Sequence, residues 1–159
     1  MLRLIPAPLQ RALMPLAHRV RHHWRRWRKV PLAGCGVVIC NLDGDVLLLR
    51  HSYGPGVWAL PGGGIGRSET PEAAVRREVQ EELGLALAQL SQVAVIEDTI
   101  SGAPHTTHLF EAVTDQHPRI DRREVVEARF FPRHSLPEPQ GPTTRARLDM
   151  WRARMQARG

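Results

Sequence analysis

No run of 18 or more uninterrupted apolar residues occurs in the sequence, so no segment has the length and hydropathy of a membrane-spanning helix. The N-terminal apolar stretch is broken by Pro6, Pro8, Gln10, Arg11 and Pro15, which also argues against a secretory signal. A cytoplasmic protein is expected. Cysteine is scarce, with only Cys35 and Cys40. They stand five residues apart in a strand-like run and therefore point to opposite faces, which excludes a mutual disulfide. No second ligand pair has zinc-site spacing, so the two read as core thiols. Acid is missing from residues 1–30, which hold seven arginines and one lysine. The net charge of +6 is therefore the charge of that segment, because from residue 31 onward 14 basic residues face 16 acidic ones.

What remains is 159 residues at 42% hydrophobic content, enough for one domain with a sizeable core. Pro31 marks the expected boundary between an arm, 1–30, and a folded domain, 31–159. Within the arm Leu9, Leu13, Leu16, Val20, Trp24 and Trp27 recur at three- and four-residue steps, the period of an amphipathic helix, kinked at Pro15. Such a basic helix is expected to pack on the domain or a second subunit, as in a homodimer, or to meet an anionic surface of membrane or RNA.

In the domain, "AGCGVVIC" and "VLLLRHS" read as strands joined by an Asp43-Gly44 hairpin turn. The glycine-rich "GPGVWALPGGGIGRS" reads as a loop. Thr70-Pro71-Glu72 then opens a helix with a capping hydroxyl, a proline at N1 and a first-turn acid, and Gly84 closes it. Further strands are predicted in "LSQVAVIEDTI", "THLFEAVTD" and "EVVEARFF", and a terminal helix in "TTRARLDMWRARMQ" with Leu148, Met150 and Trp151 facing inward. This order is that of an α+β fold.

The first helix carries the chemistry. Glu78, Glu81 and Glu82 stand at i, i+3 and i+4 and share one arc, while Val75, Val79 and Leu83 fill the adjoining arc. Docking the apolar arc on a sheet presses three mutually repelling carboxylates along the rim of a cleft. Hard oxygen ligands in that arrangement suit Mg2+ or Mn2+, which also removes the repulsion.

Written out, the stretch is Gly63, five residues, Glu69, seven residues, Arg77-Glu78-Val79, one residue, Glu81-Glu82, one residue, Gly84-Leu85. It resembles the Nudix box, G-x5-E-x7-R-E-U-x-E-E-x-G-U with U a bulky aliphatic, at every specified position. Seven fixed identities match by chance roughly once in 10⁸ registers. "WALPGGG" ahead of the box and the E-x-x-E-x-x-F-F run behind it are also Nudix-like, so the resemblance spans about residues 33 to 137.

The resemblance implies a Nudix-like α/β/α sandwich with a mixed central sheet and a catalytic loop-helix-loop. It also implies metal-assisted hydrolysis of nucleoside diphosphates linked to a further moiety, by water attack on phosphorus. Carried over residue by residue, Glu78, Glu81 and Glu82 are metal ligands, joined by the backbone carbonyl of Gly62. Gly63 is the box glycine, and Glu69 and Arg77 hold the ligand geometry. Glu124, with Glu127 second, is the downstream candidate for the general base, beside a box glutamate. Trp58, Arg50 and Arg67 are substrate-binding candidates, Trp58 as wall or as a stacking surface for a base. His51, His105, His108, His117 and His134 lack i, i+4 pairing and are expected in hydrogen-bonded or surface roles.

Side patterns of particular Nudix branches are missing. Ser101 stands where one ADP-ribose-hydrolysing branch has proline, and Tyr53 is the only tyrosine, far from where one dinucleoside polyphosphate branch has its own. The expected substrate is therefore a small nucleoside diphosphate derivative of unassigned identity. Two alternatives are an RNA 5′-pyrophosphohydrolase that uses the basic arm and a non-catalytic nucleotide-binding regulator of the same fold.

Overall fold

A computed structural model describes residues 32–100, 102–120 and 122–159; the expected basic arm lies outside them. The elements are β1 (Leu32–Cys40), β2 (Val46–His51), β3 (Gly62–Gly64), α1 (Pro71–Leu83), β4 (Ala88–Ile100), β5 (Ala103–Val113), β6 (Val125–Phe131) and α2 (Pro142–Arg158). The strands form one sheet in the order β4-β5-β1-β2-β6, with β3 attached to β1. β1 runs parallel to β5, from Leu32 opposite His105 to Cys40 opposite Val113, and the other pairings are antiparallel. The sheet is mixed.

Two-residue alternation decides which side chain enters which core. Cys35, Val37 and Ile39 of β1 with Leu47 and Leu49 of β2 face one layer, where Ala74, Val75, Val79 and Leu83 of α1 close over them. Val38, Val46 and Leu48 face the other, closed by Leu148 and Trp151 of α2. Covering both faces explains the uninterrupted apolar runs in β1 and β2. Burying one leucine such as Leu148 contributes about 1.5–3 kcal/mol. Cys35 and Cys40 are free and point into opposite layers.

Helix α1 starts and stops on the expected signals. Thr70 Oγ1 accepts from the Ala73 amide at 3.2 Å, Pro71 sits at the first turn, and Gly84 closes the helix at φ 63°, donating to Gln80 O at 3.0 Å. In α2, Met150 is 41% exposed instead of facing inward. Two residues past Leu148 it is rotated about 200° around the helix, whereas Trp151, three residues on, returns to the buried face.

Two further departures concern β1. The Asp43-Gly44 turn forms, with Gly44 at φ 83° and the Asn41 side chain accepting from the amides of Asp43 and Asp45. The hairpin is nevertheless short, because Cys40 opposite Val46 is its one registered pair. Further along, the same edge of β1 is taken by β3, which lies inside the stretch read as loop, with Cys35 opposite Gly63 and Gly36 opposite Gly62. Among the described residues no helix is long and apolar enough to cross a membrane.

Candidate active site

The short β3 strand carries the backbone that α1 reaches across to. Gly62 donates its amide to Glu82 Oε2 at 3.3 Å, and a Cβ on Gly62 would collide with the carbonyl oxygen of Cys35. A Cβ on Gly63 would collide with the Glu78 carboxylate. Glycine is required at Gly62, where the colliding atoms are backbone of β1, whereas at Gly63 a side chain would have to push the Glu78 carboxylate aside.

Arg77 ties the loop to the helix. Its Nε and Nη2 grip the two oxygens of Glu69 at 2.8 and 2.9 Å, its Nη1 donates to Glu78 Oε1 at 2.8 Å, and Nη2 also donates to Gly64 O at 3.0 Å. Glu81 stands 3.5 Å from the same guanidinium. Glu69 further accepts from the Gly66 amide at 2.9 Å. The hydrogen bonds from Arg77, then that from Gly66, hold the Glu69 carboxyl down at about 2, and Glu69 with Glu78 raises the Arg77 guanidinium in turn.

Glu82 has the opposite environment. Burial against the sheet pushes its carboxyl up to about 8; the Gly62 amide opposes the rise, and the negative charges of Glu78, Glu124 and Glu81 add to it. A helix wall has thus acquired a carboxyl that holds its proton near neutrality beside three other carboxylates. Such displaced titration is characteristic of sites that handle protons or cations.

The remaining candidates separate. Glu124 lies close enough to act on Glu82, and its carbonyl accepts the Ser52 amide at 2.8 Å at the end of β2. Glu127 is engaged by Arg129 at 2.7 Å and by Arg50 at 3.4 Å, an arrangement that ties β2 to β6. Arg50 also lies over the Trp58 ring, 5.7 Å from its centroid. Trp58 is only 8% exposed and packs edge-on against Phe131 in the α2-side core, the position of a wall rather than a stacking platform. Arg67 is exposed on the loop that leads to α1. His51 is half-buried and stacks on Tyr53 at 5.0 Å; burial lowers its pKa.

Among the described residues no three carboxylate, histidine or cysteine groups stand ready-made around one point. Glu78 is turned to Arg77 and Glu82 to Gly62, so each spends an oxygen on protein donors. The donor chemistry still fits a hard divalent cation: oxygen ligands only, mutually repelling, with Glu82 short of positive charge.

A family model described as the NUDIX domain matches residues 30–151. The chain belongs to the Nudix family. Among solved structures, the MutT NUDIX hydrolase from Burkholderia pseudomallei is 31% identical with TM-score 0.68, covering 76% of this chain and 98% of its own. The NUDIX domain of Shewanella oneidensis NrtR, solved with ADP ribose, is 23% identical with TM-score 0.68 over 79% of this chain and 89% of its own, a likeness of fold alone. The RNA pyrophosphohydrolase of Sodalis glossinidius is 55% identical over 51 residues, or 32% of this chain and 29% of that protein. The match thus spans under a third of that relative's length. Within the Nudix frame the expected loop-helix-loop is the β3–α1–Gly84 segment, and the expected sandwich is α1, sheet, α2.

Sequence reading passed over one residue near this site. Arg147 of α2 lines a cavity of about 240 Å³ whose wall includes Gly62 and Gly63. Nothing in its spacing sets it apart from the other arginines of that helix.

Proposed function

We propose that this Nudix protein is a Mg2+- or Mn2+-dependent pyrophosphohydrolase that cleaves the diphosphate linkage of nucleoside diphosphate derivatives. The observation that carries the reading is Glu82, held against the Gly62 amide and pushed up to about 8 by burial and by its acidic neighbours. Glu78, Glu81 and Glu82, with the Gly62 carbonyl, are the groups we assign to the cation, which when bound neutralises the cluster and polarises phosphoryl oxygens.

The protein's own residues do the rest. Arg77 fixes Glu78 and the loop through Glu69, so the carboxylates enter the site at set positions. Glu124 is assigned to receive a water proton; Glu82, which spends Oε2 on Gly62, is the second candidate for that step through Oε1 once its own proton has been lost on cation binding. The water oxygen bonds to phosphorus, the bridging P–O bond breaks, and two phosphate-terminated products leave. Glu127, engaged by Arg50 and Arg129, is assigned to holding β2 and β6.

A second reading takes 5′-triphosphorylated RNA as substrate. It is supported by relatives named RNA pyrophosphohydrolase and by the eight unopposed cations of residues 1–30. A hydrolysis screen with Mg2+ and with Mn2+ over nucleoside diphosphate derivatives and 5′-triphosphate RNA tests both. Turnover of the small substrates supports the first reading, and salt-sensitive turnover of RNA alone supports the second. Nucleotide binding without any turnover would instead make the protein a regulator.

A further inference from the structure

Helix α2 carries five arginines among its described contacts, and four are matched to acids. Arg145 pairs with Glu138 at 2.9 Å, Arg152 with Asp149 at 3.2 Å, and Arg154 and Arg158 with Glu111. Arg147 is different. Among the described residues its one hydrogen bond is a long donation from Nη2 to Thr107 Oγ1 at 3.4 Å, and no carboxylate lies within ion-pair distance of it. Asp98 favours its charge only through space and stands 3.3 Å from His105 Nδ1.

This cation is also half-buried. Burial lowers its pKa, and its Nη1 lies so close to β1 that a Cβ on Gly36 would come within 3.2 Å. Keeping a guanidinium away from water without a counter-charge is unfavourable, and an aliphatic side chain of similar length would fill the space at less cost. The cavity it lines runs to Gly62 and Gly63, the two residues that the Glu82 and Glu78 carboxylates approach. Cys35, His105 and Thr107 complete the wall around it.

We propose that Arg147, with the Thr107 hydroxyl, forms an anion subsite beside the Gly62–Gly63 strand that takes a non-scissile phosphate of the substrate. The substrate assignment rests on the pyrophosphohydrolase reading; the anion site does not. A guanidinium offers only donors, in a planar fork that matches two phosphate oxygens, and the phosphate supplies the charge that no described carboxylate brings within ion-pair distance of Arg147. The cavity volume of about 240 Å³ accommodates a phosphate with part of the group attached to it. Arg147 is a binding and positioning residue in this assignment, and it takes no part in proton transfer.

The test is binding of inorganic pyrophosphate to the full chain in EDTA, followed by calorimetry, so that neither metal nor turnover enters the readout. Wild type is expected to bind, more weakly as salt rises. Arg147→Met is expected to lose about tenfold or more in affinity, Arg147→Lys less, and Arg152→Met, which removes a guanidinium paired with Asp149 on the same helix, none. Failure of the hydrolase reading would leave this pattern intact. Thermal unfolding without ligand separates binding from packing: Arg147→Met is expected to melt at or above the wild-type temperature. No binding by wild type, equal binding by Arg147→Met, or a markedly lower melting temperature for Arg147→Met would each overturn the proposal.

Discussion

Arg77 grips Glu69 at two points, Nε to Oε1 at 2.8 Å and Nη2 to Oε2 at 2.9 Å, across an eight-residue step from the glycine-rich loop to the middle of α1. The fork fixes how the loop enters the helix and leaves Nη1 to orient Glu78. It also carries a pH signature. The Glu69 carboxyl drops from its ordinary 4.5 to about 2 in the folded protein. A depressed acid stabilises the fold above its unfolded pKa and loses that contribution as pH falls through the folded one. Wild type should therefore melt above Glu69→Gln at pH 6, and the gap should close between about pH 4.5 and 2. A gap that is constant down to pH 2 would mean that the charge of Glu69 contributes nothing.

Glu82→Gln should fold and lose about 10² to 10⁴ in metal-dependent turnover. In chelator the variant should also be the more stable at high pH. The Glu82 pKa is raised on folding, so the ionised group weakens the fold increasingly from about pH 4.5 up to about 8. Melting curves at pH 5 and pH 9 with and without the substitution read this directly.

Gly63→Ala should cut turnover by about 10²-fold, because the added methyl displaces the Glu78 carboxylate. Gly64→Ala is the internal control, since nothing lies within 4 Å of a Cβ there. Parallel kinetics and melting curves of the two variants check the contrast, and equal activities would remove Glu78 from the site.

Trp58→Phe should lower the melting temperature and leave KM unchanged, as expected of an indole that is 8% exposed and packed on Phe131. A raised KM at unchanged stability would return the indole to base stacking.

Deleting residues 1–28 should leave hydrolysis of small nucleotides intact and alter solubility, oligomeric state or binding to anionic vesicles. The expectation follows from the eight unopposed cations before Pro31 and from the placement of the candidate site residues, Gly62 to Glu124 with Arg147, outside the deleted segment. Light scattering and a turnover assay on the shortened chain check it.

The sequence by itself determined α1 almost completely. Its cap, its first-turn proline, its closing glycine and the two arcs of valines and glutamates are local facts, fixed by the 3.6-residue period and by the conformations that threonine, proline and glycine allow. The resemblance to the Nudix box, and not local chemistry, brought Glu69, Arg77 and Glu78 into one expectation. Local chemistry did not determine which edge of β1 pairs with which strand, because hydrogen bonding along a strand is blind to side-chain identity; a glycine-rich loop therefore supplied β3. Tertiary structure alone decided that Gly63 must make room for Glu78, that Trp58 is core and that Glu82 holds its proton. It also decided that, of the α2 arginines, Arg147 alone has no carboxylate at ion-pair distance among the described residues, since charge pairing depends on neighbours that only the packed sheet brings within reach.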